Sequence, residues 1–276
     1  MKVSIITINY NNVSGLEKTI KSVIGQTYRD YEFIVIDGNS TDGSKEIIKK
    51  YADKITYWVS EPDKGIYNAM NKGISQSKGK YLHFLNSGDI YADENVLHNV
   101  FFEKEYTEPI LRGIQICDCE THIFRWDNFG NRDITFYDLY RDGLRHQATF
   151  IHKKLFDKYG LYDEKYKIVS DWKFFIKAIL EDEKTFFLDF DIDIFDMSGI
   201  SNDPVMKRPM WDERKLVIDE LIPNSVQKDY ERLSFLEKQS GQYIQYFYLI
   251  DFIKKHRFPR FLLRSLNKLY KLLKIT

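Results

Sequence analysis

The residues with the clearest chemical potential form a short polar turn, Asn86, Ser87, Gly88 and Asp89. This turn directly follows an apolar run over residues 81–85, which predicts a strand. A parallel strand that ends in an acid places that acid at the sheet edge where open α/β sheets bind ligands. A carboxylate at such an edge suits a hard divalent cation, and that cation suits a diphosphate. We therefore predict that Asp89 binds a metal ion that holds a diphosphate; the alternative is an ordinary turn residue.

Lys64 is a second candidate for contact with an anion. It precedes a helical pattern over residues 66–77. A lysine beside a helix N-terminus, where free N–H groups point outward, forms an anion site. In that role Lys64 would contact the diphosphate, whereas a lone lysine is more often a solvated surface residue.

Asp89 and Lys64 can act on one ligand only if the fold brings the ends of their strands together. The sequence predicts a fold of this kind. Apolar runs alternate with amphipathic patterns, and the connections between them are short and polar. The predicted strands are residues 3–8, 32–36, 55–59 and 81–85, and the predicted helices are residues 14–26, 44–52 and 66–77. This alternation predicts a doubly wound, mostly parallel α/β sheet. The polar clusters that end the four strands should meet along one edge, although each cluster alone is better explained as a turn.

Composition narrows the class of protein. The chain has 276 residues, of which 43% are hydrophobic, and its 41 basic residues balance its 41 acidic ones. This balance argues against nucleic-acid binding by bulk charge. The two cysteines, Cys117 and Cys119, have no partner cluster at zinc spacing, which favours reduced thiols and a cytoplasmic protein. We expect neither a signal peptide nor a membrane-spanning helix, because no sufficiently long apolar run occurs.

The C-terminal tail has a pattern of its own. After Asp251 the chain contains no acid, and its apolar residues recur at helical spacing while basic residues share the opposite face. This pattern predicts a basic amphipathic helix within residues 254–276. Such a helix either lies on an anionic membrane or docks on the protein with a solvated basic face.

Five blocks in the expected order resemble glycosyltransferase family 2, whose members are inverting enzymes of the GT-A fold. The blocks lie at residues 3–11 with 33–43, at 63–73, at 86–89, at 146–147 and at 170–172. The resemblance extends from residue 1 to about residue 201, and it implies a Rossmann-like, mostly parallel sheet with flanking helices. In one departure, Ser87 stands where the family's metal motif commonly has its first acid.

The resemblance implies a role for each candidate residue. Asp89 is implied to hold Mn²⁺ or Mg²⁺. Asp171 is implied to be the general base, although Ser170 and Asp171 are also a good helix N-terminus. The implied nucleotide contacts are Thr7, Asn9, Asn11, Asp37, Lys64, Ser87 and Gly88, and the implied donor or acceptor sugar contacts are Tyr67, Asn71, His146, Gln147 and Trp172. The alternatives are a helix-capping role for Asp37, a structural role for His146 and a core position for Trp172.

The resulting hypothesis is an inverting, metal-dependent glycosyltransferase of cell-surface polysaccharide synthesis. It would move a sugar from a nucleotide-sugar, most simply a UDP-sugar, to a hydroxyl of a glycan or lipid-linked acceptor. The alternative is a catalytically degenerate protein that only binds a nucleotide-sugar. The support for this alternative is Ser87, which stands in place of an acid of the metal motif. Glycine-rich dinucleotide and Walker motifs are absent after the first strand, which argues against dehydrogenases and nucleoside triphosphatases.

The predicted organisation has two parts. A GT-A domain spans residues 1–205, with a nucleotide-sugar half at 1–108 and an acceptor half at 109–205. A helical region follows at residues 206–276. The expected location is cytoplasmic, with peripheral membrane contact through residues 254–276 as a further expectation.

Overall fold

A computed structural model describes residues 1–118, 123–197, 199 and 204–255. Its chain divides into two compact units, one from Met1 to Val217 and a second that begins at Ile218. The first unit contains one mixed sheet with flanking helices, and the described part of the second is helical. The predicted division at residue 205, and the separate roles of residues 1–108 and 109–205, stay predictions.

The elements of the first half follow the predicted alternation. The strands are β1 (Val3–Asn9), β2 (Tyr31–Asp37), β3 (Tyr57–Ser60), β4 (Tyr81–Phe84) and β5 (Ile90–Tyr91). The helices are α1 (Val13–Ile24), α2 (Ser44–Lys50), α3 (Ile66–Gln76) and α4 (Val96–Phe101). Leu16, Ile20 and Val23 lie on one face of α1 and are fully buried, because apolar residues at this spacing form a stripe that packs on the sheet.

The second half is less regular. Its strands are β6 (Ile110–Asp118), β7 (Ile123–Trp126), β8 (Thr149–His152) and β9 (Thr185–Phe195). Its helices are α5 (Phe136–Arg141), α6 (Lys154–Tyr159), α7 (Ser170–Leu180), α8 (Lys207–Leu221) and α9 (Asn224–Lys255). The segment before β8 contains a short 3₁₀ helix, His146–Ala148.

The sheet is parallel on one side and mixed on the other. Its strand order is β3-β2-β1-β4-β8-β6-β9-β5, with β7 paired to β6. Strands β1 to β4 are parallel, whereas β8 runs antiparallel to both β4 and β6. The mostly parallel arrangement therefore describes the first four strands, and the antiparallel insertion of β8 makes the complete sheet mixed.

The polar ends of the first strands meet at one edge, as predicted. Asn9 at the end of β1 pairs in register with Asp37 at the end of β2, and Asp37 pairs with Ser60 at the end of β3. The turn that follows β4 is tied to the same edge, because the Ser87 N–H donates to the Ile8 carbonyl. Parallel register thus brings four polar segments together.

Strand β9 is long, with 11 residues. Beyond Leu188 the sequence alternates apolar residues with aspartates, a period-two pattern that fits a strand. Two of these acids have partners: Arg125 Nε donates to Asp191 Oδ1 at 2.8 Å, and Gln115 Nε2 donates to Asp193 Oδ2 at 3.0 Å. Arg125 compensates the charge of Asp191, whereas the Gln115 amide satisfies only one oxygen of Asp193.

The membrane prediction for the tail falls largely outside the described residues, because the description ends at Lys255. Within the described part of the chain, no helix combines the length and apolar character needed to cross a bilayer.

The buried residue His83 should make the free energy of unfolding depend on pH. It is fully buried on β4, where its Nε2 lies 2.6 Å from the Gln147 carbonyl oxygen and its Nδ1 lies 2.9 Å from the Tyr91 hydroxyl. Burial lowers the pKa of His83 from 6.5 to about 3. Below pH 6.5 the unfolded chain binds a proton that the folded protein excludes, so this stabilisation is lost as the pH falls from 6.5 towards 3.

His83→Gln should therefore flatten the fall in unfolding free energy over that pH range by up to about 1.4 kcal/mol per pH unit. Urea unfolding at several pH values measures this slope. His98→Gln, at a partly exposed position on α4, is the control and should keep the wild-type slope. Equal slopes for all three proteins would contradict the prediction.

Candidate functional site

Two cavities in the first unit are lined by residues predicted from the sequence. The strand-end cavity, of about 820 Å³, is formed by the ends of β1, β2 and β4 and the start of α3. The α7 cavity, of about 370 Å³, is formed by the start of α7, part of α8 and the segment before β8. The predicted residues divide between them: Asn9 and Ser87 line the strand-end cavity, and Asp171, Trp172, His146 and Gln147 line the α7 cavity.

The strand-end cavity is bordered by an amide network. Asn9 Nδ2 donates to Asp37 Oδ1 at 2.7 Å, while Asn9 Oδ1 is buried and has no hydrogen-bond partner among the described atoms. Asn12 also lines this cavity; its Oδ1 accepts from the Gly15 N–H at the start of α1, and its Nδ2 donates to the Ser87 carbonyl. Sequence reasoning missed Asn12, although its position before α1 indicates a helix cap.

Asp37 is buried behind the cavity rather than on its wall. Its two carboxylate oxygens accept hydrogen bonds from Asn9 Nδ2, the Ser60 hydroxyl, and both the hydroxyl and the N–H of Ser40. These four bonds hold the loop that follows β2, including Gly38 and Asn39 on the cavity wall. In this conformation Asp37 acts on the cavity by positioning that loop.

Three other predicted nucleotide contacts lie off the cavity wall. The Thr7 side chain is buried and its hydroxyl donates to the Leu85 carbonyl at 2.7 Å. Asn11 is exposed and its Oδ1 accepts from the Thr41 N–H. Lys64 is exposed beside the wall residues Asp63 and Gly65. The Thr7 hydroxyl has already used its one donor on the Leu85 carbonyl.

The turn after β4 places Asp89 between the two cavities. Asn86 and Ser87, on one side, line the strand-end cavity, and Gln147, whose side chain bonds to the Asp89 carboxylate, lines the α7 cavity. Gly88 has a φ of +110°, and a Cβ there would lie 2.3 Å from Asp196 Oδ2. Only glycine fits this close, left-handed position.

The surroundings of Asp89 test whether a cation would fit. Asp89 and Asp193 are buried; burial raises the pKa of Asp89 to about 7, and burial together with the charge of Asp89 raises that of Asp193. Asp193 Oδ1 and Asn86 Oδ1 are buried without hydrogen-bond partners among the described atoms. Oxygen donors with uncompensated negative charge fit a hard divalent cation.

The protein supplies few ligands of its own. Within residues 1–118, 123–197, 199 and 204–255, no three Asp, Glu, His or Cys side chains converge to form a complete metal site. A cation at Asp89 would therefore need further oxygen ligands from a bound molecule or from water.

Asp171 lies at the start of α7 and on the wall of the α7 cavity. The Tyr67 hydroxyl, from α3, lies 2.7 Å from Asp171 Oδ1 and within hydrogen-bonding distance of the Ile168 carbonyl. Burial, together with the negative charge of Asp171, raises the pKa of Tyr67 well above its ordinary value. Tyr67 was predicted to lie beneath the donor sugar; here its hydroxyl holds a catalytic candidate in place.

Of the other predicted sugar contacts, Trp172 and His146 line the α7 cavity and Asn71 lines neither cavity. Trp172 is buried and its indole N–H donates to the Leu139 and Asp142 carbonyls. His146 lines the α7 cavity, yet its Nε2 is 2.9 Å from the Tyr162 hydroxyl and burial lowers its pKa. Asn71 is off both cavity walls, because its amide bonds the Tyr162 backbone and Glu164.

Helix α8 completes the α7 cavity, which sequence reasoning did not foresee. Trp211 and Arg214 line it. The Arg214 guanidinium lies 4.5 Å from the ring centroid of Trp172 and 5.4 Å from that of Trp211. The three-residue spacing of Trp211 and Arg214 indicates one helix face, but only tertiary packing shows that this face meets α7.

The chain is similar to known glycosyltransferases. The profile described as "Glycosyl transferase family 2" matches residues 4–162. The chain is also 33% identical over 193 residues to an uncharacterized glycosyltransferase of Mycobacterium tuberculosis, with 64% of this chain and 69% of the relative covered.

Two solved structures share the fold. TarS 1-349 of S. aureus in complex with UDP-GlcNAc has a TM-score of 0.60 at 20% identity, over 71% of this chain and 58% of that chain. The mannosyltransferase PcManGT from Pyrobaculum calidifontis, in complex with GDP-Man and Mn²⁺, has a TM-score of 0.54 at 14% identity, over 78% of this chain and 60% of that chain.

Proposed function

The chain belongs to glycosyl transferase family 2 and has the GT-A fold, and we propose that it is an inverting, metal-dependent enzyme. Its proposed donor is a nucleotide-sugar, most simply a UDP-sugar, and its proposed acceptor is a hydroxyl of a glycan or lipid-linked saccharide. The solved relatives hold UDP-GlcNAc or GDP-Man with Mn²⁺, which supports a nucleotide-sugar donor and a divalent cation here.

One observation carries the proposal: the Asn86–Asp89 turn lies between two cavities, and Asp171 lines the second. The strand-end cavity suits the nucleotide, because backbone and amide groups of Asn9, Asn12 and Gly38 surround it. The α7 cavity suits the acceptor. A bond that breaks near Asp89 and a hydroxyl activated by Asp171 are then on opposite sides of the transferred sugar, as inversion requires.

The proposed reaction is a single displacement. The acceptor oxygen attacks the anomeric carbon while Asp171 takes its proton, and the bond from that carbon to the diphosphate oxygen breaks with its electron pair leaving on the nucleoside diphosphate. Tyr67 holds Oδ1 of Asp171 by a hydrogen bond at 2.7 Å, which leaves the other carboxylate oxygen available for the proton. No covalent intermediate is required.

Asp89 would hold the cation, with Asp193 and Asp196 adding negative charge nearby. A divalent cation, Mn²⁺ or Mg²⁺, would supply Lewis-acid stabilisation of the charge on the leaving diphosphate. Gly88 keeps Asp196 close to the turn because it has no Cβ. Ser87, which replaces an acid at this position, lines the donor side and contributes a neutral oxygen.

The acceptor half and the tail complete the proposal. The acceptor would enter the α7 cavity, and we assign its binding to residues after about 109. A role in cell-surface polysaccharide synthesis, a cytoplasmic location and peripheral membrane contact through residues 254–276 belong to the same proposal, since a lipid-linked acceptor would be presented at a membrane surface.

The test is release of nucleoside diphosphate from UDP-, GDP- and dTDP-sugars, with Mn²⁺ or with a chelator. We expect slow hydrolysis of one donor class that the chelator abolishes. Proton NMR of the sugar first released from an α-linked donor should show the β anomer. Release that chelation leaves unchanged would contradict metal dependence, and an α anomer would contradict inversion.

A further inference from the structure

Arg214 has unused hydrogen-bonding capacity in the α7 cavity. It makes no hydrogen bond or ion pair with any residue in the described part of the chain, and its Nε is buried without a partner. A guanidinium carries five N–H donors. Burying a cation without a paired anion costs free energy of desolvation. A bound ligand that carries negative charge would offset this cost at Arg214.

Two tryptophans that also line the α7 cavity lie beside Arg214. Trp172 and Trp211 contact the guanidinium at centroid distances of 4.5 and 5.4 Å. A guanidinium contacts aromatic rings through its flat faces, whereas its N–H donors lie along its edge. That edge is the part of arginine that binds carboxylate or phosphate with two parallel hydrogen bonds.

A neighbouring arginine, Arg145, differs from Arg214 because it has an acidic partner within the protein. Arg145, also on the cavity wall, is paired with Asp142 at 3.2 Å and lies 3.7 Å from the ring centroid of Trp126. Its charge is therefore compensated within the protein. Arg214 feels Asp142 and Asp171 only at longer range, where both raise its pKa against the lowering effect of burial.

We propose that Arg214 is a specificity-determining residue that binds an acidic group, a carboxylate or a phosphate, on the acceptor. This inference rests on the proposed function, because it takes the α7 cavity as the acceptor site. At about 370 Å³ the cavity is at the small end of ligand pockets, which span roughly 300–1,000 Å³. Arg214 and Asp171 would then contact the same acceptor sugar or adjacent groups, with the acidic group next to the attacking hydroxyl.

The test measures binding, so it does not depend on turnover. Two matched pairs of probes are titrated by NMR: methyl β-D-glucuronide against methyl β-D-glucoside for a carboxylate, and N-acetylglucosamine 1-phosphate against N-acetylglucosamine for a phosphate. The proteins are wild type, Arg214→Gln, Arg214→Lys and the control Arg208→Gln, which changes an exposed arginine on the same helix. Thermal melts check that each variant is folded.

We expect wild type and Arg208→Gln to bind the charged member of one pair about tenfold more tightly than the neutral member, as charge-assisted hydrogen bonds imply. Arg214→Gln should lose this preference, and Arg214→Lys, which keeps charge but not the planar fork, should retain part of it. The pair that responds identifies carboxylate or phosphate.

Equal binding of charged and neutral probes by wild type, or no binding of any probe, would overturn the inference. So would an equal loss of UDP affinity in Arg214→Gln, since this would assign the residue to the donor. Donor hydrolysis by wild type separates this inference from the proposed function. Hydrolysis without a preference for acidic probes defeats only the inference. The preference without hydrolysis leaves Arg214 as an anion-binding residue and removes its assignment to a glycosyl acceptor.

Discussion

Asp171→Asn is expected to reduce glycosyl transfer by about 10²- to 10⁴-fold, the usual contribution of a general base. Asparagine has the same shape and can still accept the hydrogen bond from Tyr67, but it cannot take the acceptor proton. Binding of UDP should change by less than about twofold, because Asp171 lines only the α7 cavity. Transfer rates with the best donor, and calorimetric titration of UDP, measure the two effects.

The control for this variant is Asp157→Asn, at an exposed position on α6, which should keep wild-type transfer. Tyr67→Phe provides a second comparison. It removes the hydrogen bond that orients Asp171, so it should lower the transfer rate by less than Asp171→Asn does. Transfer by Asp171→Asn above about a tenth of the wild-type rate would remove Asp171 from the role of base.

Asp89→Asn is expected to lower Mn²⁺-dependent donor hydrolysis by at least about 10²-fold, because it removes a carboxylate of the turn that lies between the two cavities. The amide keeps an oxygen that can accept from the Asp196 N–H, a bond of 2.9 Å in the wild type. The turn should therefore persist while the negative charge that attracts a cation is lost. Donor hydrolysis across a Mn²⁺ titration measures the effect.

Calorimetry supplies an independent readout for Asp89. In the wild type Mn²⁺ should strengthen UDP binding, and in Asp89→Asn this enhancement should disappear. Asp93→Asn, an exposed acid just beyond the turn, is the control and should retain it. An Asp89→Asn protein that still shows full Mn²⁺ enhancement would exclude Asp89 as the metal ligand.

The family and the GT-A fold were predicted from the sequence, and the comparisons confirm both. Five motif blocks in order carried the resemblance to the family. The regular alternation of strand and helix periods in the first half predicted the parallel α/β arrangement, since parallel strands with short connections leave few topologies. The antiparallel insertion of β8 was not predicted. Its direction depends on long-range pairing with β4 and β6, which leaves little trace in local residue patterns.

The candidate site was predicted in part. The turn at Asp89 and the acid at Asp171 stood out because motifs in order along the chain carry them. The roles of Thr7, Asn71 and Tyr67 stay predictions. Their side chains bond to distant segments, as with Leu85 for Thr7 and Tyr162 for Asn71. Hydrogen bonds between residues that are far apart in sequence follow from packing rather than from local pattern.

The sequence by itself determined the fold class, the family and the order of the polar strand ends, because these depend on local periodicity and on short motifs. Only the tertiary structure decided which of those polar groups face a cavity. It also decided that Asp37 accepts four internal hydrogen bonds and that Arg214 and Asp171 line the same cavity. The physical reason is that exposure and hydrogen-bond partnership are properties of packed neighbours, and α8 meets α7 only after the chain has folded.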